Sequence, residues 1–416
     1  MSDGITNWAG NIAFGAARLE RPQRRAELQE IVRRAGKVRA LGSGHSFNRL
    51  ADTDGTLISL AQMERVADID PAARTITIDG GATYAHFAAK LHAAGFALAN
   101  AASLPHITVA GAVATATHGS GDGNRNLSAA VAAVELVTAS GEIARYRRGD
   151  ADFDGVVVGL GALGVVSALT LDIVPAFDIR QNVYLDLKLP ALLENFETVM
   201  ARAYSVSLFT RWRGDAVDQA WVKARAEAGE PAAELLGARG AAAPYHPIPG
   251  MDGADCTPQM GVAGPWHERL FHFPIGHQAS AGAELQSELF VRRADAPAAI
   301  RALHAAQEHF ADALFISEIR SVAADELWLS MAHGQDSIGF HFTWKPDWEP
   351  TLAAVRAVEA ALAPFQPRPH WAKVFTLPPA DIRARYPRYT DFRALAGRLD
   401  PEGKFRNAMV QDLLFA

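Results

Sequence analysis

The chain has one cysteine, Cys256, among its 416 residues. A single thiol cannot close an intrachain disulfide or build a cysteine-based zinc site. No run of 18 apolar residues occurs, so no membrane-spanning helix is expected. Residues 1–25 lack a basic stretch followed by an apolar one, so no secretory signal is visible and a cytoplasmic location is expected. Lys and Arg total 40 against 46 Asp and Glu, giving a net charge of −6 with no basic run suited to tracking phosphates. That balance argues against nucleic-acid binding. GxxxxGK[ST] is absent, which removes the lysine and hydroxyl of a P-loop. No GxGxxG joins a strand to a helix in the first βα unit, so a Rossmann site is unsupported.

Three glycine-bearing elements stand out in the first 170 residues. The β-like run Lys37-Val38-Arg39-Ala40-Leu41 leads into Gly42-Ser43-Gly44-His45-Ser46-Phe47-Asn48. Such a turn can make a nest of backbone N–H groups that binds an anion, with His45 beside it. Read alone, a plain glycine turn with a solvent-facing histidine is the commoner reading. The second element runs from Ser103 to Gly121 and contains Thr115-Ala116-Thr117-His118-Gly119. The third, Gly159-Leu160-Gly161-Ala162-Leu163-Gly164, has GxGxxG spacing, but the β-branched run that follows, from Val165 to Val174, predicts a strand rather than a Rossmann helix.

A length of 416 residues suits two domains. Helices are predicted over 26–35, 84–94, 190–203, 296–310 and 350–362. Strands are predicted at 37–41, 56–60, 75–79, 179–189, 207–212, 219–223, 287–293, 314–321 and 337–344, with a hairpin near 131–147. The elements mix without strict βα alternation, which points to an α+β fold. Past Pro175 the order suits an antiparallel sheet with helices on one face.

Within that second half, Glu318 and Arg320 stand two apart on a predicted strand and so share a face. His341 and Thr343 repeat the pattern between Phe340, Phe342 and Trp344. Either these polar faces line a pocket, or they form an exposed sheet face with a surface ion pair. His246, His267, His272 and His277 fall in one region, but their spacing matches no zinc pattern, so solvated or core histidines are expected and no metal. Trp266 is expected to cover part of a pocket.

Taken together, the three glycine elements resemble the vanillyl-alcohol-oxidase-like family of PCMH-type FAD enzymes, over almost the whole chain. Arg368-Pro369-His370-Trp371-Ala372-Lys373 is similar to the HWxK signature of its sugar-oxidising branch. Glu318-x-Arg320, His341-x-Thr343 and His370-Trp371-x-Lys373, in that order, resemble the alditol-oxidising members most. The resemblance implies a two-domain fold: an FAD domain over 1–178, an antiparallel-sheet substrate domain over 179–372, and a segment, 373–416, that returns to the first. It assigns Leu41, Gly42, Ser43, Gly44, His45, Ser46, Ser103, Gly111, Thr115, Thr117, His118, Gly119, Gly164, Val165, Val166 and His370 to FAD. It also implies attachment of the flavin through His45, the alternative being a noncovalent pocket histidine. His118 is expected to be a structural neighbour of the phosphate loop. Double attachment through a cysteine is excluded, because residues 100–121 contain none. Ala102 falls where the family controls oxygen access to the flavin.

The implied substrate groups are Ser103, Glu318, Arg320, His341, Thr343 and Lys373. Arg320 and Lys373 would stabilise an alkoxide, and His341 would be either the base or an orienter. The implied reaction oxidises a terminal hydroxyl of a small polyol while O2 becomes hydrogen peroxide. An aldonolactone oxidase or dehydrogenase is the alternative, and a noncatalytic carbohydrate-binding or FAD-storage protein is the third reading. No nucleic acid, membrane or metal partner is expected.

Overall fold

The structure, a computed structural model, describes residues 4–229, 232–276 and 283–416. Three short strands, β1 (Arg18–Glu20), β2 (Val38–Leu41) and β3 (Thr56–Ser59), form a parallel sheet in the order β1-β3-β2. Parallel strands need a crossover connection, and α1 (Arg25–Arg34) supplies the one from β1 to β2, which lie on either side of β3. Its Leu28, Ile31 and Val32, spaced to share one helical face, pack on Val38 and Ile58.

A five-stranded antiparallel sheet follows. It contains β4 (Ala67–Asp70), β5 (Thr75–Asp79), β6 (Val131–Val137), β7 (Ile143–Arg147) and β8 (Val165–Asp172), in the order β4-β5-β8-β6-β7. The hairpin and the strand after the third glycine element are therefore both present. Helix α2 (Tyr84–Ala93) starts with a capping box between Thr83 and His86 and stops at Gly95, which takes φ +85°. A short helix, α3 (Val109–Ala114), lies inside the second glycine element.

The remaining half is built on a ten-stranded sheet. Its centre comprises β9 (Asp178–Lys188), β10 (Ser205–Thr210), β11 (Ala216–Arg225), β12 (Leu285–Arg292), β13 (Leu314–Val322) and β14 (Ser337–Trp344), in the antiparallel order β9-β11-β10-β13-β14-β12. Alternation sorts the two faces. Leu208, Ile319, Phe340, Phe342 and Leu289 point toward α4 (Ala296–Ala305) and α5 (Trp348–Leu362), where Ile300, Leu303, Val355 and Val358 complete one core.

The opposite face carries a cross-strand row through Gln219, Phe209, Glu318, His341 and Glu288, each registered on the next. The single helix expected over 190–203 is instead two, Leu189–Glu194 and Phe196–Met200. Asn195 between them has φ −123°, and its side chain donates to the Ala191 carbonyl, so the backbone leaves the helical path there.

The tail packs on the first half. Val38 N–H donates to Lys404 O at 2.9 Å, Arg39 donates to Phe405 O at 2.8 Å, and the Asn407 amide donates to Asp52 O at 2.8 Å. Among the described residues, no helix is long and apolar enough to cross a membrane.

Candidate active site

One cavity is lined by all three glycine elements on one side and by the polar sheet face on the other. In the first element, Gly42 lies so close to Thr108 that a Cβ would meet Thr108 Oγ1 at 2.2 Å, and Gly44 takes φ +70°. Both positions therefore require glycine. Arg39, buried behind this turn, donates to Leu160 O at 2.8 Å and Gly161 O at 2.9 Å, tying the first element to the third.

Leu41, Gly42, Ser43, Gly44, His45, Ser46, Ala102, Ser103, Gly111, Thr115, Thr117, His118, Gly164, Val166 and His370 all line the cavity. Gly119 and Val165 do not. A Cβ on Gly119 would strike Ala101 O at 2.3 Å, and Val165 faces the core with Leu28 and Val38. Gly159 and Gly161 of the third element also line the cavity, though the resemblance does not assign them to FAD, and so do Gly80 and Gly81, which sequence reading missed as site residues.

His45 sits 4.3 Å from Trp8 between ring centroids and 5.6 Å from His106. Both its ring nitrogens are shielded from water and have no hydrogen-bond partner. Burial, with His106 and Lys373 adding to it, pulls its pKa down to about 3, so the ring is neutral at physiological pH. Unpaired buried nitrogens normally call for a missing partner. A glycine-walled cleft with such a histidine at its edge fits FAD.

The sheet wall is a network of charges. Glu318 and Arg320 lie on β13, His341 and Thr343 on β14, and Lys373 on the turn after His370. All five line the cavity and are buried or nearly so. Their hub is Glu288 on β12, which accepts from Lys373 Nζ at 2.7 Å and Arg320 Nη2 at 2.6 Å. Arg320 reaches it over Gly339, where a Cβ would stand 3.2 Å from Glu288 Oε1. His118 Nε2 lies 3.1 Å from the same carboxylate, bridging the second glycine element to the sheet. Burial would raise the Glu288 pKa, but Lys373, Arg320 and His118 outweigh it and hold the group well below its ordinary value.

Lys373 Nζ also donates to His341 Nδ1 at 2.6 Å, which leaves the ring proton on Nε2, 3.2 Å from Thr343 Oγ1. Burial and then the Lys373 charge pull His341 down to about 4, so it too is neutral. Glu318 is kept ionised against its burial by Arg320 and His272. The turn carrying Lys373 is fastened to the first glycine element: Phe47 N–H donates to Ala372 O at 2.7 Å, and the Asn48 amide donates to Trp371 O and Lys373 O, both at 2.8 Å.

Glu288 is the main residue that sequence reading missed. Its signal was present, since Glu284, Gln286 and Glu288 alternate with Leu285, Ser287 and Leu289 as the polar pairs of the other two strands do. His246, His267 and His272 are buried, while His277 lies outside the described residues. Among the described residues, no group of three or more metal-ligating side chains converges. Trp266 does not cover the cavity. It is fully buried in the first-half core and donates to Phe96 O, because helix Trp266–Arg269 docks against α2 rather than over the cleft.

Comparison with known proteins agrees with this layout. Residues 16–147 match the FAD binding domain family, and residues 285–413 match the D-arabinono-1,4-lactone oxidase family. An alditol oxidase from Streptomyces sp. is 50% identical over 417 residues, covering 100% of both chains. The chain belongs to the alditol oxidase family. It is thus an FAD-dependent oxidoreductase. The L-gulono-1,4-lactone dehydrogenase of Mycobacterium tuberculosis is 30% identical over 100% of both chains. The bovine L-gulonolactone oxidase is 24% identical over 98% of each. A crystal structure of cholesterol oxidase from B. sterolicum superposes with a TM-score of 0.80 at 16% identity, covering 99% of this chain and 96% of that one. That likeness establishes the two-part α+β, PCMH-type fold, with helices and an antiparallel sheet.

Proposed function

We propose that this alditol oxidase family member oxidises the terminal hydroxyl of small alditols such as xylitol or sorbitol to the aldose, with O2 reduced to hydrogen peroxide. The observation that carries the reading is the Glu318–His341–Glu288 row, with Arg320 and Lys373 beside it, facing a glycine-built cleft. A wall of buried donors and acceptors suits a substrate made of hydroxyls, because any analogue lacking them leaves charged groups unpaired.

The chemistry FAD supplies when bound is acceptance of a hydride and its transfer on to O2. Leu41 to Ser46, Gly111, Thr115, Thr117, Gly164 and Val166 would hold it, Gly119 and Val165 would support that cradle from behind, and His370 would sit at the substrate end. Attachment through His45 is supported by a neutral ring with two unpaired nitrogens, which is the state a nucleophilic imidazole needs. Ser103, Glu318 and Thr343 bind substrate hydroxyls. Lys373 turns from His341 to the reacting oxygen and, with Arg320, stabilises the alkoxide. That turn frees the His341 Nδ1 lone pair, which takes the hydroxyl proton. Ala102, small and at the cavity wall, leaves space for O2.

The domain division follows the same reading, with 1–178 for FAD, 179–372 for substrate and 373–416 returning to the first. A cytoplasmic location accords with a lone free thiol, Cys256. Aldonolactone oxidation ranks second, since residues 285–413 match a lactone oxidase family while the lactone-acting relatives are more distant. A peroxide assay of the purified holoenzyme with xylitol, sorbitol and gulono-1,4-lactone tests the choice. Turnover of the alditols is expected, and activity on the lactone alone would reverse it. Acid precipitation of the same sample should leave a yellow pellet, whereas a colourless one would remove His45 from its role.

A further inference from the structure

Behind the substrate wall lies a buried lysine that the proposed chemistry does not use. Lys223 projects from β11 and is 2% exposed. Its three donors are all taken, by Leu270 O at 2.6 Å, Phe271 O at 3.1 Å and His272 Nδ1 at 3.3 Å. An ammonium can only donate, so His272 Nδ1 must accept, and the ring proton is forced onto Nε2. Nε2 then donates to Glu318 Oε1 at 3.0 Å. The ring is clasped between Phe209 and Trp221, at 5.8 and 5.3 Å between centroids, and its backbone N–H donates to Ser103 O at 3.0 Å. One oxygen of Glu318 is thereby committed, and the other stays available beside Arg320, 3.6 Å from Nε.

We infer that Lys223 and His272 are positioning residues that lock Glu318 as a one-sided acceptor for a substrate hydroxyl, so that they govern affinity for the polyol through Glu318. This rests on the alditol-oxidase reading. The arrangement also has a built-in sign. The charged or titratable neighbours of the relay are Glu318 and Arg320 from β13 and Cys256 from the Gly253–Asp255 turn region. Burial draws Lys223 down to about 7 against the opposing pull of Glu318 and Cys256. Above that pH the neutral amine keeps two donors for the carbonyls and offers a lone pair to His272. The ring proton then moves to Nδ1, and a bare Nε2 lone pair faces the Glu318 carboxylate. Affinity for the polyol should fall as the pH rises through about 7.

The test uses the flavin-loaded enzyme with xylitol, reading KM and kcat separately together with the shift in Tm that xylitol produces. His272→Leu should raise KM about tenfold, the scale of one hydrogen bond to a charged group, with kcat changed far less. His272→Gln, which keeps an acceptor at one end and a donor at the other, should restore most of the loss and the xylitol Tm shift. Wild-type KM should rise between pH 6 and pH 9, and Lys223→Met should abolish that dependence. Should Lys223→Met fail to fold, with two carbonyls left unpaired, the His272 pair and the wild-type profile still decide. A wild-type KM in His272→Leu, or an equal fall in kcat for both His272 variants, overturns the relay alone. A wild-type enzyme that yields no peroxide from any alditol overturns the functional reading, and the relay with it.

Discussion

The two walls of the cleft are built by opposite means. On the first-half side the lining is turns and small residues: Gly42, Ser43, Gly44, Gly111, Thr115, Gly161 and Gly164, with no carboxylate contributed by any residue before β9. On the sheet side, Glu284, Glu288, Glu318, Arg320, His341 and Lys373 crowd together. Under the proposed function, the first wall would hold a dinucleotide by shape and backbone N–H groups, which suit phosphates of negative charge. The second would hold substrate by paired charges whose desolvation is offset only while every partner is present. Damage to one wall should therefore show as lost cofactor, and damage to the other as lost stability or turnover.

The largest expected effect is at the hub. Glu288→Gln leaves Lys373 buried without its counter-charge and Arg320 with Glu318 alone, and removal of one member of such a buried pair costs about 3–5 kcal/mol. Chemical denaturation should register that loss, and wild-type stability would remove Glu288 from the centre of the network. Next, Lys373→Ala should lower kcat about 10²–10³-fold with flavin content unchanged, as loss of a donor to a developing oxyanion does. A near-normal rate would reject its role.

On the opposite wall, Gly42→Ala places a methyl 2.2 Å from Thr108 Oγ1. The expected outcome is reduced absorbance at flavin wavelengths per mole of protein, with the sheet-side stability intact. Full loading would show that the turn can relax. The smallest effect concerns acid. His341, drawn down to about 4, binds no proton in the native state until well below its unfolded value. Its contribution to stability is therefore intact at neutral pH and declines as the pH falls from about 6.5 toward 4. Thermal melts of wild type and His341→Asn across that window should converge at its lower end, and parallel curves would contradict it.

The strand-and-helix frame was legible because the apolar periodicities are long and clean. The end of the 84–94 helix before Gly95, the 131–147 hairpin and the strand after Gly164 all fell where turn chemistry and β-branched runs put them. The polar faces of β13 and β14 were readable for the same reason, since i and i+2 share a side. Long-range partners were not readable. Lys223 ends the strand predicted over 219–223 and looks like any solvated lysine until the segment at 270–272 folds over it. Glu288 sits 30 residues before Glu318, and only the sheet order sets its row against β14. Local sequence carried Asn195 as helix, yet its side-chain bond to the preceding turn ended that helix early.

The hydrogen bonds from Phe47 and Asn48 to the turn bearing Lys373 have a practical corollary. Residues 45–48 and 370–373 share one rigid mount, although they lie more than 300 positions apart in the chain. Grafting a relative's C-terminal third to change substrate preference would carry half of that mount and leave the other half behind. Chimeras that exchange both segments together should keep the lysine aligned with the flavin, and those that exchange only one should lose alignment even where every pocket residue is identical.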